Sequence, residues 1–155
     1  MAEEIIEQGY RELADTILEH NPGVDLGRVR AAFELADRAH SGQKRKAGTP
    51  YVTHCVAAAQ ICAEMGLDED SIVAALLHDC IEDTAITHED IARQFGAEVA
   101  DIVEGVTKLT RVQFTSREDE QMENLRKMLM AMAKDIRVIL IKIADRTHNM
   151  RTMEY

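Results

Sequence analysis

The sequence predicts an all-α fold, a helical bundle built around a central metal site. Three observations carry that reading. Aromatic residues are only 4% of the 155 and Trp is absent, so the core must be made of Ala, Ile, Leu, Val and Met, with just two prolines to interrupt it. That composition favours helices over strands. Apolar positions recur at helical spacing between Ser, Thr or Asp caps and Gly stops. Finally, the apolar run Ala74-Ala75-Leu76-Leu77 leads straight into His78-Asp79-Cys80-Ile81-Glu82-Asp83-Thr84, with four side chains suited to metal binding or acid–base work.

Taken in order, residues 3–20 place Ile5, Ile6, Leu13, Ile17 and Leu18 among acidic residues, an amphipathic helix that Asn21-Pro22-Gly23 stops. Asp25 is the expected N-cap of a second helix reaching about His40, with Gly42 as its stop signal. Residues 42–50 form a polar loop holding the consecutive basic residues Lys44, Arg45 and Lys46. A third helix is expected from near Val52 to Gly66. Asp68 then caps a helix carrying His78 and Asp79. Thr87 with Asp90 three residues on reads as a capping box with Asp in place of Glu, opening a short helix that ends at Gly96. Another helix covers about 97–107, a polar loop covers 108–117, and Ser116 caps a long helix to about Ala133. The last stretch, Asp135 to Arg146, is rich in β-branched residues and could be a strand. With no second strand to pair with, it is expected to be a helix buried on nearly all sides. The pattern stops at Met153-Glu154-Tyr155 without a cap, which reads as one domain, residues 1–155, cut from something longer.

If 78–83 is helical, His78 and Glu82 are four residues apart, as are Asp79 and Asp83, so all four share one face. Four such groups on an apolar helix are costly to bury without a partner, and a divalent cation satisfies them together. His54, at a helix start after the basic loop, and Asp145, near the end of the most apolar stretch, complete a set of two imidazoles and two carboxylates. That set balances a dication. It lacks thiolate, and so suits Mn²⁺, Fe²⁺ or a catalytic Zn²⁺ better than a structural zinc. The remaining candidates read more blandly. His40 closes its helix, and His148 is structural or supports a ligand. His20 and His88 lie on the surface. Cys80 is packing, and Met122, Met128, Met130 and Met132 form core or a partner-facing surface.

A net charge of −10 and a pI near 5.0 argue against a general binder of nucleic acid or anionic membrane. Cys55, Cys62 and Cys80 make no CxxC pair and read as reduced thiols of a cytoplasmic protein. No apolar run approaches the ~20 residues of a membrane span. The Met-Ala-Glu-Glu start is too acidic for a secretory signal.

The order His54…His78-Asp79…Asp145 resembles the pattern of the HD superfamily of metal-dependent phosphohydrolases. Four blocks carry a closer likeness: Arg45 to His54, His78 to Thr84, Val106-Thr107-Lys108-Leu109, and Ala144 to Thr152. They resemble, in order and spacing from about residue 25 onward, the hydrolase domain of the RelA/SpoT homologues, which make and destroy the alarmones ppGpp and pppGpp. The resemblance implies an HD-domain helical bundle holding one Mn²⁺ and releasing pyrophosphate from the 3′ position of the guanosine. It implies His54, His78, Asp79 and Asp145 as metal ligands. Glu82 and Asp83 would position or deprotonate the attacking water. Asn149 would meet the ribose region, Arg45 and Lys46 the base and phosphates, with Thr152 also among the nucleotide contacts. The implied partners are the nucleotide itself and a synthetase domain of a longer chain, with no DNA and no membrane. Two rivals remain: an HD-type hydrolase of another nucleotide, and a non-catalytic regulatory domain of a ppGpp synthetase. Thr147 stands where the family more often has Leu.

Overall fold

The computed structural model describes residues 2–43, 50–110, 122–123, 125–126 and 136–151. The side chains of Ala2, Glu3, Glu82, Asp83 and Thr110 lie outside that description. Among the described residues the fold is all-α, as expected from the composition. The helices are α1 (Ala2–His20), α2 (Leu26–Ala39), α3 (Val52–Glu64), α4 (Glu69–Leu77), α5 (Cys80–Asp83), α6 (His88–Phe95), α7 (Ala97–Thr110) and α8 (Ile136–Arg151).

The boundaries follow local chemistry. Asp25 takes the N–H groups of Gly27 and Arg28 at the start of α2, and Asp68 takes that of Ser71 at the start of α4. Thr87 and Asp90 satisfy each other's backbone N–H in a complete capping box at α6. Gly66 and Gly96 end α3 and α6 with φ of 73° and 101°, a left-handed turn that a Cβ would strain.

Two central helices form the core. Every residue of α4 from Ser71 to Leu77 is fully buried, and nine of the thirteen residues of α3 are buried. Alanines on both helices let neighbours approach closely. α1 and α8 pack on α3, α2 and α7 pack on α4, and α6 lies on α7. Arginines tie the outer ends together. Arg28 of α2 holds Glu69 and Asp70 of α4 and the Phe95 carbonyl of α6, and Arg137 of α8 holds Asp68 and Glu98.

Three expectations need correction. The helix capped by Asp68 does not carry His78 and Asp79. α4 stops at Leu77, His78 closes it, and Asp79 opens the one-turn α5. The cause is the His78 ring: its Nδ1 lies 2.6 Å from the Ala75 carbonyl, the acceptor that the backbone N–H of Asp79 would need for the helix to continue. The last helix, moreover, is not buried on nearly all sides. Val138, Ile141, Ala144 and Asp145 are buried, but Ile136, Ile143 and Met150, seven residues apart in turn, are 57%, 50% and 70% exposed. α8 meets α3, α4 and α7 along one side only, so its apolar count overstated its burial. The expected loop at 108–117 also starts late, since α7 continues through Thr110; the helix expected from Ser116 to Ala133 lies mostly outside the described residues.

Candidate metal centre

Three separate stretches meet beneath α3. His54 sits in the first turn of α3, His78 and Asp79 at the junction of α4 and α5, and Asp145 in the middle of α8. One ligand-type atom from each of the four lies within 4.8 Å of all the others. His54 Nε2 is 2.6 Å and His78 Nε2 3.1 Å from Asp145 Oδ1, and His78 Nε2 is 3.1 Å from Asp79 Oδ2. Both imidazoles are 1% exposed, so the groups that converge are removed from bulk water.

The electrostatics are those of a site with surplus negative charge. Burial disfavours a charged His78, yet the Asp79 and Asp145 carboxylates outweigh it and push the imidazole up to about 10. Burial disfavours an ionised Asp79 too, but His78 and a hydrogen bond from Tyr51 hold it down to about 2. Asp145, against the same burial penalty, is kept well below the usual carboxylate range by hydrogen bonds from His54, His78 and Lys142. A proton on His78 thus occupies the position that a cation would take between the two carboxylates.

The donor set fits a divalent metal. Two Nε2 nitrogens and two carboxylates, with no thiolate in the cluster, form a mixed N/O set. Each imidazole is also gripped from behind, as ligand histidines are: His78 by the Ala75 carbonyl, His54 by His148. A second His/carboxylate group, His88 with Asp101 and Glu104, lies on the surface between α6 and α7, where Lys108 already pairs with Glu104.

Two residues at the site, Tyr51 and Lys142, were not singled out from the sequence as part of it. Tyr51 donates its hydroxyl to Asp79 Oδ2 at 2.8 Å, its ring lying against His40 and His54. Lys142 donates to Asp145 Oδ2 at 2.9 Å. His148, weighed as structural or as supporting a ligand, has its Nδ1 2.7 Å from His54 Nδ1. Lys142 and His148 each stand three residues from Asp145, a helical spacing that could have flagged both.

Of the other expected residues, Asn149 lies half-buried on α8, one turn beyond Asp145. Glu82 and Asp83 are on α5, directly after the ligand pair, with their side chains outside the description. Arg45, Lys46 and Thr152 lie outside the described residues. The two ends of the basic loop are nonetheless placed: the Tyr51 N–H donates to the Gln43 carbonyl at 2.9 Å, closing the loop's neck beside Asp79. Thr147 spends its hydroxyl on the Ile143 carbonyl of its own helix.

Several known proteins resemble this chain. A family model described as HD domain matches residues 32–155. A protein of Escherichia coli strain K12, named bifunctional (p)ppGpp synthase/hydrolase SpoT, is 52% identical over 144 residues, 93% of this chain and 20% of its own. A guanosine-3′,5′-bis(diphosphate) 3′-pyrophosphohydrolase of Haemophilus influenzae is 56% identical over 119 residues, 77% of this chain and 18% of its own. The chain therefore spans about a fifth of the length of these curated relatives. A solved metazoan orthologue of SpoT, described as hydrolysing ppGpp, superposes with a TM-score of 0.64 at 32% identity, covering 82% of this chain and 70% of that one.

Proposed function

The chain belongs to the HD domain family, and from that premise we propose that it is a divalent-metal-dependent pyrophosphohydrolase. Its substrate would be ppGpp or pppGpp, from which water releases the 3′-pyrophosphate to leave GDP or GTP. One observation carries the reading: ligand atoms of His54, His78, Asp79 and Asp145, from three distant stretches, gather within 4.8 Å. The names of the relatives supply the substrate.

In this reading His54 and His78 present Nε2, and Asp79 and Asp145 a carboxylate oxygen, to one Mn²⁺ per chain. A bound divalent cation acidifies water and draws charge from a phosphoryl group. The chain's own residues do the rest. Glu82 and Asp83, on the turn that follows the ligand pair, orient the attacking water and accept its proton. Arg45 and Lys46 meet the anionic nucleotide locally, which an acidic protein of net charge −10 requires, with the Arg guanidinium forking onto phosphate or stacking on the base. Asn149 takes the ribose side, and Thr152 is a further nucleotide contact. Tyr51 and Lys142 fix the orientations of Asp79 and Asp145.

A cytoplasmic setting suits three buried cysteines that form no disulfide, and no helix among the described residues is long and apolar enough to cross a membrane. A synthetase domain within a longer chain is the partner we propose beside the nucleotide.

The test strips the chain with chelator, restores Mn²⁺, and follows ppGpp and competing nucleotides by ion-exchange chromatography. Metal-dependent release of GDP and pyrophosphate is expected. Brisk turnover of another nucleotide with ppGpp untouched rejects the alarmone. The synthase half of the Escherichia coli relative's name supplies a second reading, a nucleotide-binding module that regulates a synthetase. Tight ppGpp binding without turnover selects it.

A further inference from the structure

His54 is held by both of its ring nitrogens, and both holders come from α8. Nε2 lies 2.6 Å from Asp145 Oδ1, and Nδ1 lies 2.7 Å from Nδ1 of His148, the two rings tilted by 31° with centroids 5.0 Å apart. Asp145 and His148 are three residues apart on one helix face, so α8 closes on His54 like a two-point clamp. Nitrogens 2.7 Å apart must share one proton, one offering N–H and the other a lone pair.

The other imidazole is supported differently. His78 Nδ1 meets the Ala75 carbonyl, which only accepts, so that ring carries a proton on Nδ1 whatever happens at Nε2. An imidazole nitrogen, unlike a carbonyl oxygen, serves as donor or acceptor. His148 can donate to His54 or accept from it.

We infer that His148 is the positioning residue of His54: it holds the ring's aim and lets His54 exchange the nitrogen that carries its proton when a divalent cation enters. The inference rests on the metal-site reading above. Without a cation, Nε2–H of His54 donates to Asp145 Oδ1, since a carboxylate only accepts, and Nδ1 of His54 accepts from Nδ1–H of His148. With Nε2 offering its lone pair to a cation, the proton of the His54 ring sits on Nδ1 and is donated to His148 Nδ1. The proton of His148 then sits on its own Nε2. Neither ring gains or loses a proton; each changes only the nitrogen that bears it.

Two variants and one spectrum test this. His148→Asn keeps a group that both donates and accepts near the Nδ1 position; His148→Phe keeps the ring's shape and can do neither. Calorimetric titration of the chain with Zn²⁺, a diamagnetic probe, is expected to show His148→Phe about 10–100-fold weaker and His148→Asn within about threefold of the unmodified chain. Nitrogen-labelled histidine spectra of the unmodified chain are expected to show the His54 proton moving from Nε2 to Nδ1 as Zn²⁺ is added, with scalar coupling between the two Nδ1 atoms. These spectra need no variant, so a His148→Phe chain that fails to fold does not remove the test. Equal affinity in His148→Phe, or an unmoved His54 proton, overturns the inference while the metal reading stands. No uptake of Zn²⁺ or Mn²⁺ by the unmodified chain overturns both.

Discussion

Lys142 stands three residues before Asp145 on α8, and its Nζ lies 2.9 Å from Asp145 Oδ2 while Oδ1 of the same carboxylate faces His54 and His78. The two oxygens are thereby given separate tasks: one is neutralised from the helix's own side, the other is turned to the imidazoles. Replacing Lys142 with Met leaves a nearly buried carboxylate oxygen without that donor. The expected cost in the metal-free chain is about 1–3 kcal/mol, the scale for an orphaned buried acceptor. Added Mn²⁺ should recover much of it, because a cation between the carboxylates supplies the missing charge. Thermal melts with and without Mn²⁺ check this. A variant that melts like the unmodified chain in both conditions would show that the contact contributes nothing.

Metal uptake should depend on pH with a definite sign. In the metal-free site the two carboxylates raise His78 to about 10, so the imidazolium form prevails at neutral pH. A cation needs the neutral ring and must expel that proton, so affinity should tighten with rising pH, by at most about tenfold per unit. Calorimetry in buffers of differing ionisation enthalpy should show proton release on binding. Stability of the metal-free chain runs the other way. The contribution of His78 is fully present below the unfolded value near 6.5 and is lost as pH rises through about 10. That of Asp79 is present above 3.8 and is lost as pH falls through about 2. His78→Gln should remove the alkaline part of the profile and shrink the acid part, because His78 is the main partner that holds Asp79 down.

Gly105 is the point at which α7 admits α8. A Cβ there would come within 2.7 Å of Val138 Cγ2, and Val138 is buried and β-branched, with little rotamer freedom to yield. Gly105→Ala should gain up to about 1 kcal/mol of helix propensity and lose about 1–3 kcal/mol to overpacking. The net expectation is a less stable chain. Because α8 carries Asp145, Mn²⁺ affinity should weaken as well. Adding Val138→Ala makes room and should recover affinity. Denaturant melts and metal titrations of the single and double variants decide the matter.

The sequence carried whatever a few neighbouring residues decide. Asp25, Asp68 and the Thr87–Asp90 box cap helices through bonds within a turn, and Gly66 and Gly96 stop helices through their own φ. The break at His78 was hidden because a side chain made it, by taking the Ala75 carbonyl; periodicity records which residues are apolar and says nothing of such competition. The exposure of Ile136, Ile143 and Met150 was hidden because it depends on which helices pack against α8. At the site, the ligand-type residues were legible from their chemistry. Tyr51 was not, since it matters only through Asp79, which folding brings beside it from 28 positions away, and His148 could be read as supporting a ligand without its partner being named, since His54 is 94 positions away.

Glu82 offers the sharpest separation of binding from chemistry. It lies on α5 after the break that turns His78 and Asp79 toward His54 and Asp145. A residue that holds the cation and one that accepts a proton from water fail differently when changed. Glu82→Gln keeps the shape and a hydrogen-bonding amide but removes the base. If Glu82 is the proton acceptor, the variant should bind Mn²⁺ and ppGpp nearly as the unmodified chain does, while turnover falls by about 10²–10⁴. Asp145→Asn, by contrast, should weaken Mn²⁺ first, with activity returning partly at high metal. Single-turnover assays over a Mn²⁺ series distinguish the two patterns. A Glu82→Gln chain rescued by excess Mn²⁺ would mark Glu82 as a ligand and pass the proton-accepting role to Asp83.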